Sequence, residues 1–331
     1  MAVCMRVDLS RSRNVDEITN FLHNQDLKYE VLDSLFVVID EEGRWLASGG
    51  RRKNVLKGFA VIEEYRSEAL TDLILTELIK ESYQLGIERL FVFTKAIYAP
   101  LFSGFGFQEL ANTGRSSLLL RSDDGVDGYL EPIAASLPST GELGAVVMNA
   151  NPFTLGHQYL AQSAAQAVDH LVVFVVENDE SQFSTADRFL LVKKGLAHIP
   201  NITVILGSPL IVSAVTFPSY FLKEKETISM EHARIDALVF KNYFVPRLRI
   251  RTRFLGEEPL DPSTAIYNLC LAQILPPECE VYILKRLETG GDVISATRVR
   301  RLFNEGKLLE IKPYVPEVTY HFLEELYAEH S

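Results

Sequence analysis

Cysteine is scarce in this chain: three residues in 331, at positions 4, 270 and 279. They are too few and too scattered for a disulfide framework or a zinc site. They read as reduced thiols of a cytoplasmic protein. Long apolar runs are missing too. Leu171–Val176 and Leu269–Leu275 fall far short of the ~20 residues a membrane span needs. The opening Met1-Ala2-Val3-Cys4-Met5-Arg6 has no apolar stretch of the kind that marks a secretory signal. Positive charge is in deficit, with 33 Lys and Arg against 44 Asp and Glu, a net charge of −11. A broadly basic nucleic-acid surface is therefore not expected. An acidic protein that handles a polyanion must build a local cationic pocket. What is present is ordinary globular composition, 47% hydrophobic and 23% charged, which excludes a disordered chain or a fibre. At roughly 150 residues per domain, the length suggests two domains.

The first 120 residues mix strands and helices. Asn14-Val15-Asp16-Glu17 starts a helix whose apolar face is Ile18, Phe21 and Leu22. Leu35–Asp40 reads as a buried strand, turned by Glu42-Gly43 into a second around Trp45-Leu46-Ala47. Leu56–Ile62 is a further strand. From Glu68 to Leu85 apolar residues recur at three and four, and Gly86 closes that helix. Leu90–Phe93 and Ser117–Leu120 are strands. The composition then turns weakly apolar and turn-rich, so residues 126–142 read as a linker between a domain over 1–125 and another over 143–331. The second half alternates strand and helix, which implies a doubly wound parallel sheet with ligands beyond the carboxyl ends of its strands.

Two stretches of the second half carry chemistry. Met148-Asn149-Ala150-Asn151-Pro152-Phe153-Thr154-Leu155-Gly156-His157 follows a strand and opens a helix. Thr154 and His157 share one face of its first turn. Gly156 lets a ligand approach, and free N–H groups at the positive helix end favour an anion. The competing reading is a capped helix with Thr154 as N-cap and His157 on the surface. In Ile294-Ser295-Ala296-Thr297-Arg298-Val299-Arg300, Ser295 is an N-cap candidate. Arg298 and Arg300 crowd a helix start, where cations oppose the macrodipole. A bound anion would remove that conflict; solvated arginines are the alternative.

Thr154-Leu155-Gly156-His157 and Ile294–Arg300 together resemble the paired motifs of the nucleotidyltransferase superfamily, Ala296 standing where that pattern has serine. With Thr216-Phe217-Pro218-Ser219-Tyr220-Phe221-Leu222-Lys223 between them, the chain resembles the citrate lyase ligase family over nearly its whole length. The resemblance implies a Rossmann-like catalytic domain. It also implies a reaction in which ATP and acetate give acetyl-adenylate and pyrophosphate. The acetyl group then passes to a thiol on the citrate lyase acyl carrier subunit, the end of its phosphoribosyl dephospho-CoA arm. On that reading His157, Thr154 and Arg298 act catalytically. Asn149, Asn151, Phe153, Thr154, Gly156, His157, Arg188, Ser295, Thr297, Arg298 and Arg300 bind ATP, and Mg²⁺ bridges phosphates with few protein ligands of its own. Arg188 is expected to point toward the nucleotide, or else to be a surface arginine at a helix start. Gly256, Tyr267 and Asn268 are weaker site candidates, with a helical-core alternative for Tyr267. Lys223 or Lys225, within Tyr220–Pro246, would reach the adenylate or the carrier, or belong to a solvated charged helix.

The first half resembles the Gcn5-related acetyltransferase (GNAT) fold through Leu56–Ile62, the helix after it and Phe102-Ser103-Gly104-Phe105-Gly106-Phe107. The acyl-CoA pyrophosphate loop of that fold reads Arg66-Ser67-Glu68-Ala69-Leu70 here. Both glycines are absent and Glu68 adds negative charge, so close backbone approach is hindered and a degenerate domain is expected. It would recognise the CoA-like arm or the carrier, or serve structure alone. Two other functions remain open: a nucleotidyltransferase joining AMP to a phosphorylated acceptor such as phosphopantetheine, and a CoA-dependent acetyltransferase. No nucleic-acid or membrane partner is expected.

Overall fold

A computed structural model describes residues 2–66, 69–177, 181–207, 210–211, 221–222, 225–258, 262–289 and 292–330. The chain divides into two compact units, residues 1–125 with 217–235, and residues 126–216 with 236–331.

The first unit is built on seven strands: β1 (Val3–Arg6), β2 (Ser34–Ile39), β3 (Trp45–Arg52), β4 (Val55–Val61), β5 (Leu90–Lys95), β6 (Gln108–Asn112) and β7 (Ser116–Arg121). Their order is β1-β2-β3-β4-β5-β7-β6. Helices α1 (Ser12–Asn24) and α2 (Leu70–Gln84) and the short α3 (Ala99–Ser103) complete it. One apolar cluster packs α2 on the sheet through Leu70, Ile74, Leu75 and Leu78. Another packs α1 through Ile18 and Leu22. Among the described residues of this sheet the one parallel pair is β4–β5, and it holds for just Val55↔Phe91 and Leu56↔Val92. Beyond those residues the two strands part. The edge strands β1 and β6 were not legible in the sequence, because each is short and largely exposed.

The second unit opens with α4 (Asp127–Ser136), inside the stretch expected to be a linker. Leu130 and Ile133 bury one turn apart, and Arg247 pairs with Asp127. That one apolar face secures a helix the turn-rich composition concealed. Then come β8 (Leu143–Met148), α5 (Leu155–Gln166), β9 (His170–Val175), α6 (Thr185–Gly195), β10 (Ile202–Leu206), α7 (Lys225–Val239), which belongs to the first unit up to Ile235, α8 (Val245–Leu248), β11 (Ile250–Gly256), α9 (Pro262–Ile274), β12 (Glu280–Leu284), α10 (Ala296–Asn304), α11 (Leu308–Ile311) and α12 (Glu317–His330). The five strands β8–β12 form a parallel sheet, in the order β10-β9-β8-β11-β12. This is the doubly wound α/β sheet the alternation implied. The Val-rich β9 is buried on both faces, as strands covered by helices are. Gly144 in β8 allows β11 to lie close, since a Cβ there would stand 2.8 Å from Cε2 of Phe254.

Within the segment 220–246, the described part of α7 is not a solvated charged helix. Lys223 lies outside the described residues, and the side chain of Lys225 does too. From Glu231 onward α7 buries Glu231, His232, Ala233, Ile235, Asp236, Ala237 and Val239.

Candidate functional site

The chain order reverses beside β8: β9 and β10 run off on one side, β11 and β12 on the other. Such a switch point leaves a crevice at the carboxyl ends of the strands. Here it is a cleft of about 650 Å³. Its walls come from the loop after β8, the first turn of α5, the residues just past β11 and β12, and the start of α10.

The loop after β8 is held by two arginines. Ala150 is buried and takes a left-handed backbone, φ 49°, a conformation non-glycine residues rarely adopt. On one side of it Arg188 donates from Nη1 to the Asn149 carbonyl at 2.6 Å and to Asn149 Oδ1 at 3.0 Å. On the other, Arg300 donates from Nη1 to the Asn151 carbonyl at 2.5 Å. Surroundings that fix both flanking carbonyls over-determine the residue between them. Arg188 also donates to the carbonyls of Val176 (2.9 Å) and Phe183 (3.2 Å) and to Thr185 Oγ1 (2.9 Å). It is fully buried. It is not a surface arginine: its guanidinium donates to three backbone carbonyls and to the side-chain oxygens of Asn149, which lines the cleft, and Thr185.

At the start of α5, Thr154 and His157 form a capping box. Thr154 Oγ1 accepts from the His157 amide at 3.4 Å, and the Thr154 amide donates to His157 Nδ1 at 3.1 Å. A nitrogen that accepts from an N–H carries no proton of its own. The imidazole proton therefore sits on Nε2. Burial, with the nearby Arg286 charge adding to it, pushes the His157 pKa down to about 4. At neutral pH the ring is uncharged with one outward donor, Nε2–H. The capped-helix reading and the ligand reading thus describe one arrangement, because the cap fixes the tautomer that the site presents.

Ser295 caps α10, its Oγ accepting from the Arg298 amide at 3.3 Å. Thr297 lines the cleft and accepts from Arg300 Nη2 at 3.0 Å. Arg298 lies over the Tyr314 ring, 4.5 Å from its centroid. Of the expected residues, Asn149, Thr154, Gly156, His157, Ser295 and Thr297 line the cleft. Asn151, Phe153, Arg188, Arg298 and Arg300 are not among its described lining residues. Asn151 Oδ1 accepts from the Phe183 amide at 3.2 Å. Phe153 is core, so tightly set that a Cβ on Gly195 would come within 2.4 Å of its ring. Gly256 lines the cleft, and its carbonyl takes a 2.9 Å hydrogen bond from Asn268 Nδ2. The helical-core alternative describes Tyr267, whose hydroxyl donates to Asp236 Oδ2 at 2.6 Å and accepts from Arg253 at 3.3 Å.

Several cleft residues were missed: Tyr159, Glu258, Thr264, Lys285 and Arg286. Arg286 pairs with Glu258 and donates to the Glu257 carbonyl at 2.8 Å. It reaches toward the Ile294 carbonyl, 3.5 Å away, just ahead of the α10 cap. Glu258 and Lys285 follow the ends of β11 and β12, where the carboxyl-end rule for open α/β sheets directs attention. That rule drew out Gly256 and not its neighbours. The cleft therefore presents two helix starts, a neutral Nε2–H donor and two cations, a constellation suited to a polyphosphate.

Among the described residues no helix is long and apolar enough to cross a membrane. The sequence pattern of the citrate lyase ligase C-terminal domain matches residues 143–323. The citrate (pro-3S)-lyase ligase of Escherichia coli K12 is 38% identical over 98% of this chain and 94% of its own. That of Klebsiella pneumoniae is 38% identical over 98% of this chain and 97% of its own. The enzyme of the same name from Haemophilus influenzae is 33% identical over 95% of this chain and 96% of its own. Likeness at this level along nearly the full length, with the motif-bearing unit matched as such, places the chain in the citrate lyase ligase family.

Proposed function

We propose that the chain is an ATP-dependent acid–thiol ligase of the cytoplasm. It activates acetate as acetyl-adenylate and passes the acetyl group to the prosthetic-group thiol of the citrate lyase acyl carrier subunit. The observation that carries this reading is the meeting of two capped helix starts, α5 and α10, on one cleft with His157 Nε2–H between its walls.

In the first step an acetate oxygen attacks the α-phosphorus of ATP. The new P–O bond forms as the bond to the bridging oxygen breaks, and pyrophosphate leaves with that electron pair. Charge builds on phosphoryl oxygens, so positioning and charge stabilisation dominate. His157 donates to the phosphates without bringing a positive charge of its own. Amides at the starts of α5 and α10 and the hydroxyls of Ser295 and Thr297 face the same space. Lys285 and Arg286 supply the local positive potential that an acidic chain must concentrate somewhere. Arg298 and Arg300 act by holding α10 and the loop after β8 in place. In the second step the carrier thiolate attacks the acetyl carbonyl carbon and AMP leaves.

Among the described residues no group of three or more His, Cys, Asp and Glu is placed to hold a metal. Glu258 is the one carboxylate among the described cleft residues. That donor set suits a Mg²⁺ held mainly by substrate phosphates, with Glu258 the residue able to join it. The ion would neutralise phosphate charge.

Pyrophosphate–ATP exchange tests the reading. The ligase requires exchange that depends on acetate. Exchange driven by phosphopantetheine instead would favour an adenylyl transferase to a phosphorylated acceptor. Acetyl transfer from acetyl-CoA without ATP would favour the acetyltransferase.

A further inference from the structure

The first unit carries a surface whose charge runs against that of the chain. Where β5 ends, Lys95 sits opposite Ser116 of β7, and the Ala96 amide donates to the Arg115 carbonyl at 3.0 Å. Lys95 and Arg115 are thereby neighbours across the strand ends. The chain then turns through residues 96–98 into α3. Ile97 is 78% exposed, Tyr98 50% and Leu101 37%. Three large apolar side chains on about five residues form a raised patch of the kind that marks interaction sites.

Two clefts adjoin the patch. Lys95, Ile97 and Arg115 line one of about 580 Å³. Arg66, Lys95, Tyr98 and Leu101 line another of about 380 Å³. Arg66, Lys95 and Arg115 are exposed and make no ion pair with any described residue. Among the described residues lining either cleft, the one acid is Asp26. Among the described residues, three cations without an ion pair and one acid line these clefts, a local reversal of sign in a chain with a net charge of −11.

That combination narrows the occupant. Small-molecule sites are concave, with their apolar groups turned inward. Here Ile97 and Tyr98 line clefts yet stay largely exposed, an exposure that suits a macromolecular face. An acidic partner would be repelled over most of this chain and attracted at this patch. We propose that the Ile97–Leu101 patch, with Lys95, Arg115 and Arg66 around it, is the docking surface for the acyl carrier, through an acidic face beside its phosphate-bearing arm. This rests on the ligase reading above, which requires one carrier to be brought to the enzyme.

The experiment uses the full-length chain and the acyl carrier subunit in its thiol form. The double variant Lys95→Glu with Arg115→Glu and the single variant Ile97→Ser are compared with wild type. Three quantities are read: Kd for the carrier, KM for the carrier in acetyl transfer, and acetate-dependent pyrophosphate–ATP exchange. Both variants are expected to raise Kd and KM, the double variant by about tenfold or more. Exchange and acetyl transfer to free pantetheine stay at the wild-type rate. Added salt weakens carrier binding to wild type far more than to the double variant. Unchanged Kd in both variants overturns the docking surface. If charge reversal misfolds the chain, exchange is lost, and Ile97→Ser decides alone. Absence of acetate-dependent exchange in wild type strikes the ligase reading, while the Kd comparison still decides the docking surface.

Discussion

His157 concentrates the site's chemistry in one ring. Its Nδ1 is committed to the Thr154 amide, so only Nε2–H can face a phosphate. Replacing it by alanine removes a donor from a cleft where charge develops. The expected loss in acetate-dependent exchange is about 10²–10³-fold, the range for deleting one such donor. His157→Asn, with a neutral amide, should recover part of it. The same ring has a stability signature. Its folded pKa, about 4, lies below the unfolded value near 6.5. Between those values the unfolded chain binds the extra proton, so stability is lost as pH falls from about 6.5 to about 4. Denaturant titrations across that window should show a steeper pH slope for wild type than for His157→Gln. His170, also pushed down by burial, leaves a residual slope in both. Arg188 acts at the same scale without touching the cleft. Arg188→Met leaves the carbonyls of Asn149, Val176 and Phe183 without this donor. At about 1–3 kcal/mol per buried unsatisfied group, a loss of about 3 kcal/mol or more is expected in chemical denaturation. Arg188→Lys should rescue little, because an ammonium cannot reproduce the planar fork.

At the scale of elements, the sequence was most informative where one physical rule governed alone. The buried strands β2, β5, β8 and β9 appeared as apolar runs, and the caps of α5 and α10 as Thr154 and Ser295. The starts of both helices, and so the two sides of the cleft, were therefore legible. What stayed hidden depends on partners far along the chain. Arg188 at a helix start looks solvated until the loop after β8 folds back on it. Arg298 and Arg300 look like phosphate ligands until Tyr314 and the Asn151 carbonyl are seen beneath them. Helix α4 hid in a turn-rich stretch because one turn of apolar residues is too brief a period to read. The loop Arg66–Leu70 is described only at its ends, so its lost glycines remain a sequence observation. One close approach gives an element-scale test. Gly144→Ala forces β8 against Phe254 of β11 at 2.8 Å. Overpacking of this kind costs about 1–3 kcal/mol. Thermal unfolding should show the drop, and exchange should weaken as the strand ends beside the cleft shift.

For the whole molecule, the excess of acids over bases sets how it meets its partners. The cations placed by argument are few and local: Lys285 and Arg286 at the cleft, and Lys95, Arg115 and Arg66 on the first unit. ATP bound at the cleft should stabilise the second unit by mass action. At a concentration a hundredfold above Kd the gain is about 2.7 kcal/mol. A melting-temperature rise that saturates with ATP, and shrinks in Ser295→Ala, is the expected result. Loss of the cap also weakens α10 itself, by about 1 kcal/mol, so the nucleotide-free variant supplies the baseline.

The bond from Arg300 to the Asn151 carbonyl spans 149 residues of chain. It joins the first loop of the sheet to a helix near the end of the sequence. During synthesis the loop after β8 emerges long before α10 exists to brace it. The cleft is therefore incomplete until α10 has been made, after strands β9 to β12. A chain cut short before residue 295 would carry all five strands of that sheet and lack both the start of α10 and the brace it gives the loop after β8.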